Sequence, residues 1–367
     1  TVHNLVKKEM NPDMLILDEL HMYVGEDAEV FPLVFEKIYA DKILGLTATL
    51  GHDGIQREMV DANCPVVDII DLQEAIDNGY VSDYIQYNLG VRMTPEKKAK
   101  YKKLDNTFYR LFQQFDFSFD KIKRVLNDED YAARVARSKG WRKGSTIGQA
   151  AKCMRSIRER KEFLYGAPSK IDMAEKIIRK YSEKRFITFG QTTDSADKLA
   201  DRLPDALSFH SNIPTQLVNE EGEDIGRKCG KGKYKLYGVE SEFSWPEVKQ
   251  AYDGKITRLG SKRVKDYVLE EFESGRKRGL CTAKAFDVGY DNADIELAVI
   301  LSGTSNQRQL IQRIGRAIRK KEGKRAIIFQ LYVVDTQDEK WMNKRQVNNG
   351  NVVNITNLSQ IAHDEYT

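Results

Sequence analysis

Hydrophobic and polar positions fall into three regimes along this chain. From Pro12 to about Gly90, short apolar runs alternate with mixed segments. Met14-Leu15-Ile16-Leu17 and Ile43-Leu44-Gly45-Leu46 read as buried strands, with a helix through Val34 to Ile38 between them. This strand–helix–strand rhythm predicts a parallel sheet. From Thr94 to about Leu164 the period lengthens. Thr94-Pro95-Glu96 is a helix start, and Tyr101, Leu104, Phe108, Leu111, Phe112, Phe115 and Phe119 follow mostly at steps of three or four. Such a stripe is a core-facing helix surface, and Gly140-Trp141 marks a break. From Ile171 the first rhythm resumes. Strands are expected at 185–189, 206–209, 279–282, 297–301 and 326–329, and helices at 195–203 and 264–272, a complete doubly wound unit. Residues 214–260, rich in Gly, Lys and Glu, read as an insertion or long loop.

The 367 residues are 41% hydrophobic, enough for two domains with real cores, which excludes global disorder. No apolar run approaches the roughly 18 residues of a membrane-spanning helix. Thr1-Val2-His3-Asn4 does not open a charged and then apolar leader, so no signal peptide is expected. The chain does not begin with Met, and a fragment or processed product is expected. Cys64, Cys153, Cys229 and Cys281 form no C-x-x-C pair, so reduced thiols are expected rather than a zinc site or disulfide framework.

Net charge is +4, but it is unevenly spread. Residues 96–162 hold 19 Lys and Arg against 9 Asp and Glu, and the rest of the chain is net acidic. A block this basic fits either a polyanion partner or a solvated helical face.

The first strand runs straight into Asp18-Glu19-Leu20-His21. Two carboxylates at the carboxyl end of a parallel strand stand where such sheets bind ligands. In nucleotide hydrolases one carboxylate holds Mg²⁺ and another group orients the attacking water. About 30 residues on, the second strand ends in Thr47-Ala48-Thr49.

At this point the sequence resembles the superfamily 2 DNA and RNA helicases. Asp18-Glu19-Leu20-His21 looks like their motif II and Thr47-Ala48-Thr49 like motif III. Arg185 to Gly190 is placed like motif IV. Thr282 through Phe286-Asp287-Val288-Gly289-Tyr290-Asp291 looks like motif V, and Gln312-Arg313-Ile314-Gly315-Arg316-Ala317-Ile318-Arg319 like motif VI. The order and spacing agree from about Pro12 to Arg345. Asp71 to Ile76, with Gly79-Tyr80-Val81, is similar to the lobe junction of phage recombination helicases and restriction-enzyme translocase subunits.

The resemblance implies an ATP-dependent helicase or translocase, most readily on DNA, with ATP and Mg²⁺ as cofactors and a cytoplasmic location in a bacterial or phage-infected cell. It implies that Asp18 binds Mg²⁺ through water and that Glu19 is the catalytic base. Thr47 and Thr49 would couple hydrolysis to the nucleic-acid site, which Gly190, His210 and Thr282 would help to form, with Thr282 on a backbone phosphate. Gly289 and Asp291 would lie at the nucleotide, Asp291 on its ribose. Arg316 and Arg319 would be arginine fingers, with Gln312 bonding back toward motif II or the nucleotide. His21 either senses the γ-phosphate or packs, and His210 either contacts the backbone or is a satisfied surface histidine. Arg313 has no assigned role.

The expected fold is α/β, with tandem RecA-like lobes of which the first is incomplete. Residues 1–92 would be the C-terminal part of the first lobe and 93–165 a basic helical insertion. Residues 166–345 would be the second lobe, interrupted at 214–260, and 346–367 a C-terminal tail. The sequence contains no G-x-x-x-x-G-K-[ST] loop to cradle phosphates. The chain as given is therefore expected to hydrolyse ATP poorly unless an upstream segment or a partner polypeptide supplies that loop. Two alternatives stand beside the helicase: the duplex-translocating subunit of a restriction system, and a split-helicase or non-catalytic nucleic-acid-binding remnant.

Overall fold

The computed structural model describes residues 10–24, 33–47, 54–239, 241–283, 294–303, 307–346 and 351–361. The first segment is a two-stranded parallel sheet of β1 (Met14–Asp18) and β2 (Lys42–Leu46). Helices α1 (Leu33–Lys37) and α2 (Gly54–Asn63) accompany it. Leu17, Leu20, Val34, Ile38 and Val60 form its small core. Gly45 has a clear packing reason: a Cβ there would lie 2.5 Å from Leu20 Cδ2, so only glycine lets Leu20 settle on β2. The expectation that both strands are buried holds for Leu17 alone among the first strand's apolar residues: Met14 and Ile16 are exposed. The sheet has no third strand among the described residues to cover that face.

A short helix α3 (Leu72–Asp77), capped by the Asp71 carboxylate accepting from Glu74 N–H, leads to β3 (Asp83–Val91). The bundle follows as α4 (Pro95–Gln113), α5 (Phe119–Asn127), α6 (Glu129–Lys139) and α7 (Lys143–Tyr165). Thr94 caps α4, and Gly140 ends α6 in the left-handed region at φ 65°. Phe108, Phe112, Phe115, Ile122, Val125 and Ile157 are among its buried core, so the aromatic stripe is core, although Phe119 at its end is exposed.

The distal lobe comprises α8 (Pro168–Lys180), β4 (Phe186–Gly190), α9 (Thr193–Ala200), β5 (Ala206–His210), then a small sheet of β6 (Gln216–Asn219), β7 (Asp224–Gly230), β8 (Lys233–Leu236), β9 (Glu242–Ser244) and β10 (Ile256–Leu259) with α10 (Trp245–Ala251). It continues through α11 (Ser261–Glu273), β11 (Gly279–Ala283), β12 (Leu297–Ile300), α12 (Gln307–Ala317), β13 (Arg325–Val333), α13 (Gln337–Arg345) and β14 (Val352–Ile355). The main sheet has the order β14-β3-β13-β12-β4-β11-β5, and every pairing is parallel. Helices cover both faces, with one core around Ile177, Phe186 and Phe329 and another around Phe189, Val268 and Ile314.

Three organisational expectations are corrected here. Strand β3, placed by sequence within the first lobe up to residue 92, pairs along its whole length with β13 and belongs to the distal sheet. Residues 346–367 are not simply a tail, because β14 adds to the far side of β3. Residues 214–260 are not a long loop but an antiparallel sheet in the order β10-β6-β7-β8-β9, with Leu217, Tyr234, Leu236 and Val248 at its core. Among the described residues no helix is long and apolar enough to cross a membrane.

Candidate nucleotide and inter-lobe site

The end of β1 turns sharply. Glu19 sits in the left-handed region at φ 53° and ψ 50°, and its N–H donates to Asp18 Oδ1 at 3.0 Å. A non-glycine residue there carries about 1 kcal/mol or more of backbone strain. The strain is sustained because Leu20 is locked beneath it. The turn throws the Glu19 carboxylate toward the distal lobe. Gln312 on α12 donates from Nε2 to Glu19 Oε1 at 3.1 Å, joining the two segments directly. On the near side His21 Nδ1 lies 3.2 Å from Glu19 Oε2 and 3.1 Å from Thr47 Oγ1.

Four of the sequence-predicted residues, Glu19, His21, Thr47 and Gln312, therefore meet at one place, with Asp18 beside them. His21 thus lies between Glu19 and Thr47. Arg316 is one helical turn beyond Gln312 on the same face of α12 and is partly buried. Arg319 is exposed just past the helix, where its carbonyl accepts from Ser82 Oγ at 3.0 Å and Lys324 Nζ at 2.9 Å. Thr49, Gly289 and Asp291 lie outside the described residues.

Other predicted residues stand elsewhere. Thr282 is buried in β11, and its hydroxyl donates to Thr188 O at 2.7 Å. His210 is not a surface residue. It is buried, with Nε2 3.0 Å from Asp197 Oδ1. Burial would raise the Asp197 carboxyl, but hydrogen bonds from His210 and Ser208 hold it below its ordinary value. Gly190 closes β4, where a Cβ would lie 3.3 Å from Thr282 O. These three residues shape the carboxyl end of the sheet from within.

Sequence reasoning missed the supports of α12. Arg313 points away from Gln312 into the distal core, its guanidinium 5.3 Å from the Phe189 ring centroid and Nη1 donating to Ser302 O at 2.9 Å. Arg345 donates to the adjacent Gly303 O at 2.9 Å. Beside them Lys170 and Asp338, both fully buried, pair at 3.0 Å, and Asp338 Oδ2 also accepts from Val333 N–H at 3.1 Å. Burial pulls the Lys170 ammonium down and Asp338 opposes it. The one available signal was Arg313, a charged residue at a core-facing position of an amphipathic helix.

The segment carrying Gln312 matches a family model. Residues 251–321 match the Helicase conserved C-terminal domain. The chain is similar to superfamily 2 helicases. It is 22% identical over 333 residues to the DNA 3'-5' translocase XPB2 of Sulfurisphaera tokodaii, covering 91% of this chain and 61% of the translocase. It is 24% identical over 159 residues to the ATP-dependent DNA helicase MPH1 of Debaryomyces hansenii, covering 40% of this chain and 14% of that protein. The chain thus spans less than two thirds of the length of these helicase relatives. Among solved structures it is similar to the Hef helicase domain of Pyrococcus furiosus at 16% identity and a TM-score of 0.46, covering 91% of this chain and 74% of that one.

Proposed function

We propose that this chain supplies the distal lobe and part of the first lobe of an ATP-dependent DNA helicase or translocase. The observation that carries the reading is the Glu19–Gln312 hydrogen bond. It ties the acidic turn of one lobe to the arginine-bearing helix of the other, as a site assembled by lobe closure requires. The relatives described above, a DNA translocase and an ATP-dependent DNA helicase, support it.

The donor set fits Mg²⁺ and a nucleoside triphosphate. Asp18 offers a hard carboxylate oxygen at the exposed end of β1, and Mg²⁺ at phosphates needs only one or two protein carboxylates. In this reading ATP brings a phosphoryl group whose transfer to water releases energy, with Mg²⁺ offsetting the charge that develops. Asp18 would hold Mg²⁺ through its water shell. Glu19 orients the attacking water and takes its proton, and His21 and Gln312 fix the carboxylate's direction. Thr47 links that carboxylate to the end of β2. Arg316 and Arg319 bring guanidinium charge from the distal lobe, so hydrolysis depends on closure. Thr49, Gly289 and Asp291 keep their implied places in coupling and nucleotide contact.

The phosphate-binding loop must come from a further segment or a partner polypeptide. Support for that comes from the first lobe's apolar surface. Ile16 is 58% exposed, and Val67 and Ile69 are 85% and 75% exposed. A cavity of about 820 Å³ lies between Leu20, Ile43, Thr47, Val66 and Ile70. Exposed apolar surface of this extent marks an interface. The basic bundle, with Lys98, Lys102 and Lys103 exposed and Lys97 half-buried on α4, would lie along nucleic acid in a bacterial or phage-infected cytoplasm.

The test is DNA-stimulated phosphate release by this chain with and without a half-lobe bearing the phosphate loop. Activity that needs the half-lobe and is lost in Glu19→Gln supports the proposal. Robust Glu19-dependent hydrolysis by the chain alone would overturn the need for a partner, and absence of DNA binding in any form would overturn the function.

A further inference from the structure

The small sheet of residues 214–260 has a basic arm that the catalytic reading does not use. We propose that the β7–β8 hairpin enters a groove of duplex DNA and contacts both of its phosphate rows. The proposal deepens the function above and rests on it.

Arg227, Lys228, Lys231, Lys233 and Lys235 fall within nine residues that contain no Asp or Glu. Two of these cations hold the sheet in place. Arg227 pairs with Asp197 at 3.1 Å and with Asp201, fastening β7 to α9, and Lys233 pairs with Glu242 at 2.8 Å. Lys228, Lys231 and Lys235 are exposed and make no ion pair among the described residues.

Their placement is that of a ribbon charged on two sides. Lys228 lies opposite Tyr234 in the ladder and Lys235 opposite Arg227, one position apart, so the two lysines project from opposite faces. Lys231 is at the turn, where Gly232 takes φ 71°. A flat surface would meet only one face. A groove meets both. β6 and β9 flank the base of the hairpin, through Gln216 beside Arg227 and Ser244 beside Lys233, so the part that enters is the turn from Lys228 to Gly232, with Lys235 on the flank facing a phosphate row. The major groove of B-DNA admits a two-stranded turn of this width.

The hairpin also points to the working end of the lobe. Asp224 begins β7 near Lys277, which precedes β11, and shares a cavity with Pro204 and Ala206 at the start of β5. Arg227 has advanced to Asp197, whose other partners are Ser208 and His210 near the end of β5. The remaining residues to Gly230 extend roughly 10 Å further in the same direction. That is the carboxyl end of the sheet, where open α/β sheets take their ligands.

Cys229 gives a native probe, because it is exposed while Cys64, Cys153 and Cys281 are buried. The experiment uses the full chain, a mixed-sequence 20-base-pair DNA duplex and no nucleotide. Affinity is measured from low to moderate salt for the wild type, for single Lys228→Gln, Lys231→Gln and Lys235→Gln variants and for the triple variant. Lys255→Gln, at the opposite end of the same sheet, is the control, and thermal melting checks each fold. Each hairpin substitution should reduce the salt slope by about 1, the triple variant should bind at least tenfold more weakly at low salt, and Lys255→Gln should bind like the wild type. A fluorophore on Cys229 should respond to duplex. If the folded triple variant keeps the wild-type slope and the Cys229 probe stays silent while the wild type binds, the hairpin proposal is overturned and the function stands. If the wild type shows no salt-dependent binding, both fall.

Discussion

Gln312 and Glu19 stand 293 positions apart in sequence and meet at 3.1 Å. The bond gives closure a molecular definition, since it joins the acidic turn after β1 directly to α12 of the distal lobe. In the completed ATPase, Glu19→Gln should lower turnover by about 10²- to 10⁴-fold, the range for loss of a general base. Gln312→Ala should lower it about tenfold, equivalent to one hydrogen bond to a charged acceptor. Steady-state phosphate release is the measurement, and a Gln312→Ala enzyme at wild-type rate would show the bond to be incidental.

The fit of Leu20 beneath the acidic turn gives a second prediction. Gly45→Ala places a methyl group against Leu20 Cδ2 and should destabilise the first lobe by about 1–3 kcal/mol, the cost of overpacking. In a Leu20→Ala background, where the clash is gone, Gly45→Ala should cost less than it does in the wild type. Hydrogen exchange over residues 14–20 and 42–46 reports it, and equal protection in Gly45→Ala would contradict the packing account.

Removing half of the buried Lys170–Asp338 pair should be far worse than removing both charges. Lys170→Met alone strands a buried carboxylate and should cost about 3–5 kcal/mol. Lys170→Met with Asp338→Asn keeps an acceptor for Val333 N–H and should recover more than half. Urea midpoints compare the two, and an equally unstable double variant would refute the charge-stranding explanation.

Lys324 sets a pH dependence. Burial pushes its ammonium down to about 8, with Glu296 and Asp294 opposing, whereas an unfolded lysine titrates near 10.4. Between these values the unfolded chain binds more protons, so stability rises with pH through that window and is level below it. Lys324→Met should lack the rise. Unfolding free energies of both proteins from pH 7.5 to 10.5 test this, and parallel curves would deny the shift.

Much of this architecture is legible in the sequence, for identifiable reasons. Strands such as Phe186–Gly190 and Leu297–Ile300 are continuous apolar runs because both faces of the sheet are covered. The Asp18–His21 turn was legible because its chemistry is local. The partnership of β3 with β13 was not, because sheet membership is decided far along the chain. Nor was the small sheet: strands like Lys233–Leu236 alternate Lys with buried Tyr234 and Leu236 and resemble a polar loop. The burial of Thr282 and His210 was not legible either, because a doubly covered strand has no alternation to reveal which way a polar side chain points.

The place of β3 also has a meaning for synthesis. It sits second in the main sheet, held on one side by residues 325–333 and on the other by 352–355. Both partners leave the ribosome long after it, with the bundle and most of the distal lobe made in between. At about 5–20 residues per second that interval is roughly ten to fifty seconds. During it this apolar strand lacks both of its described sheet partners, so the nascent chain depends on whatever shields Tyr84 to Val91 until β13 and β14 emerge.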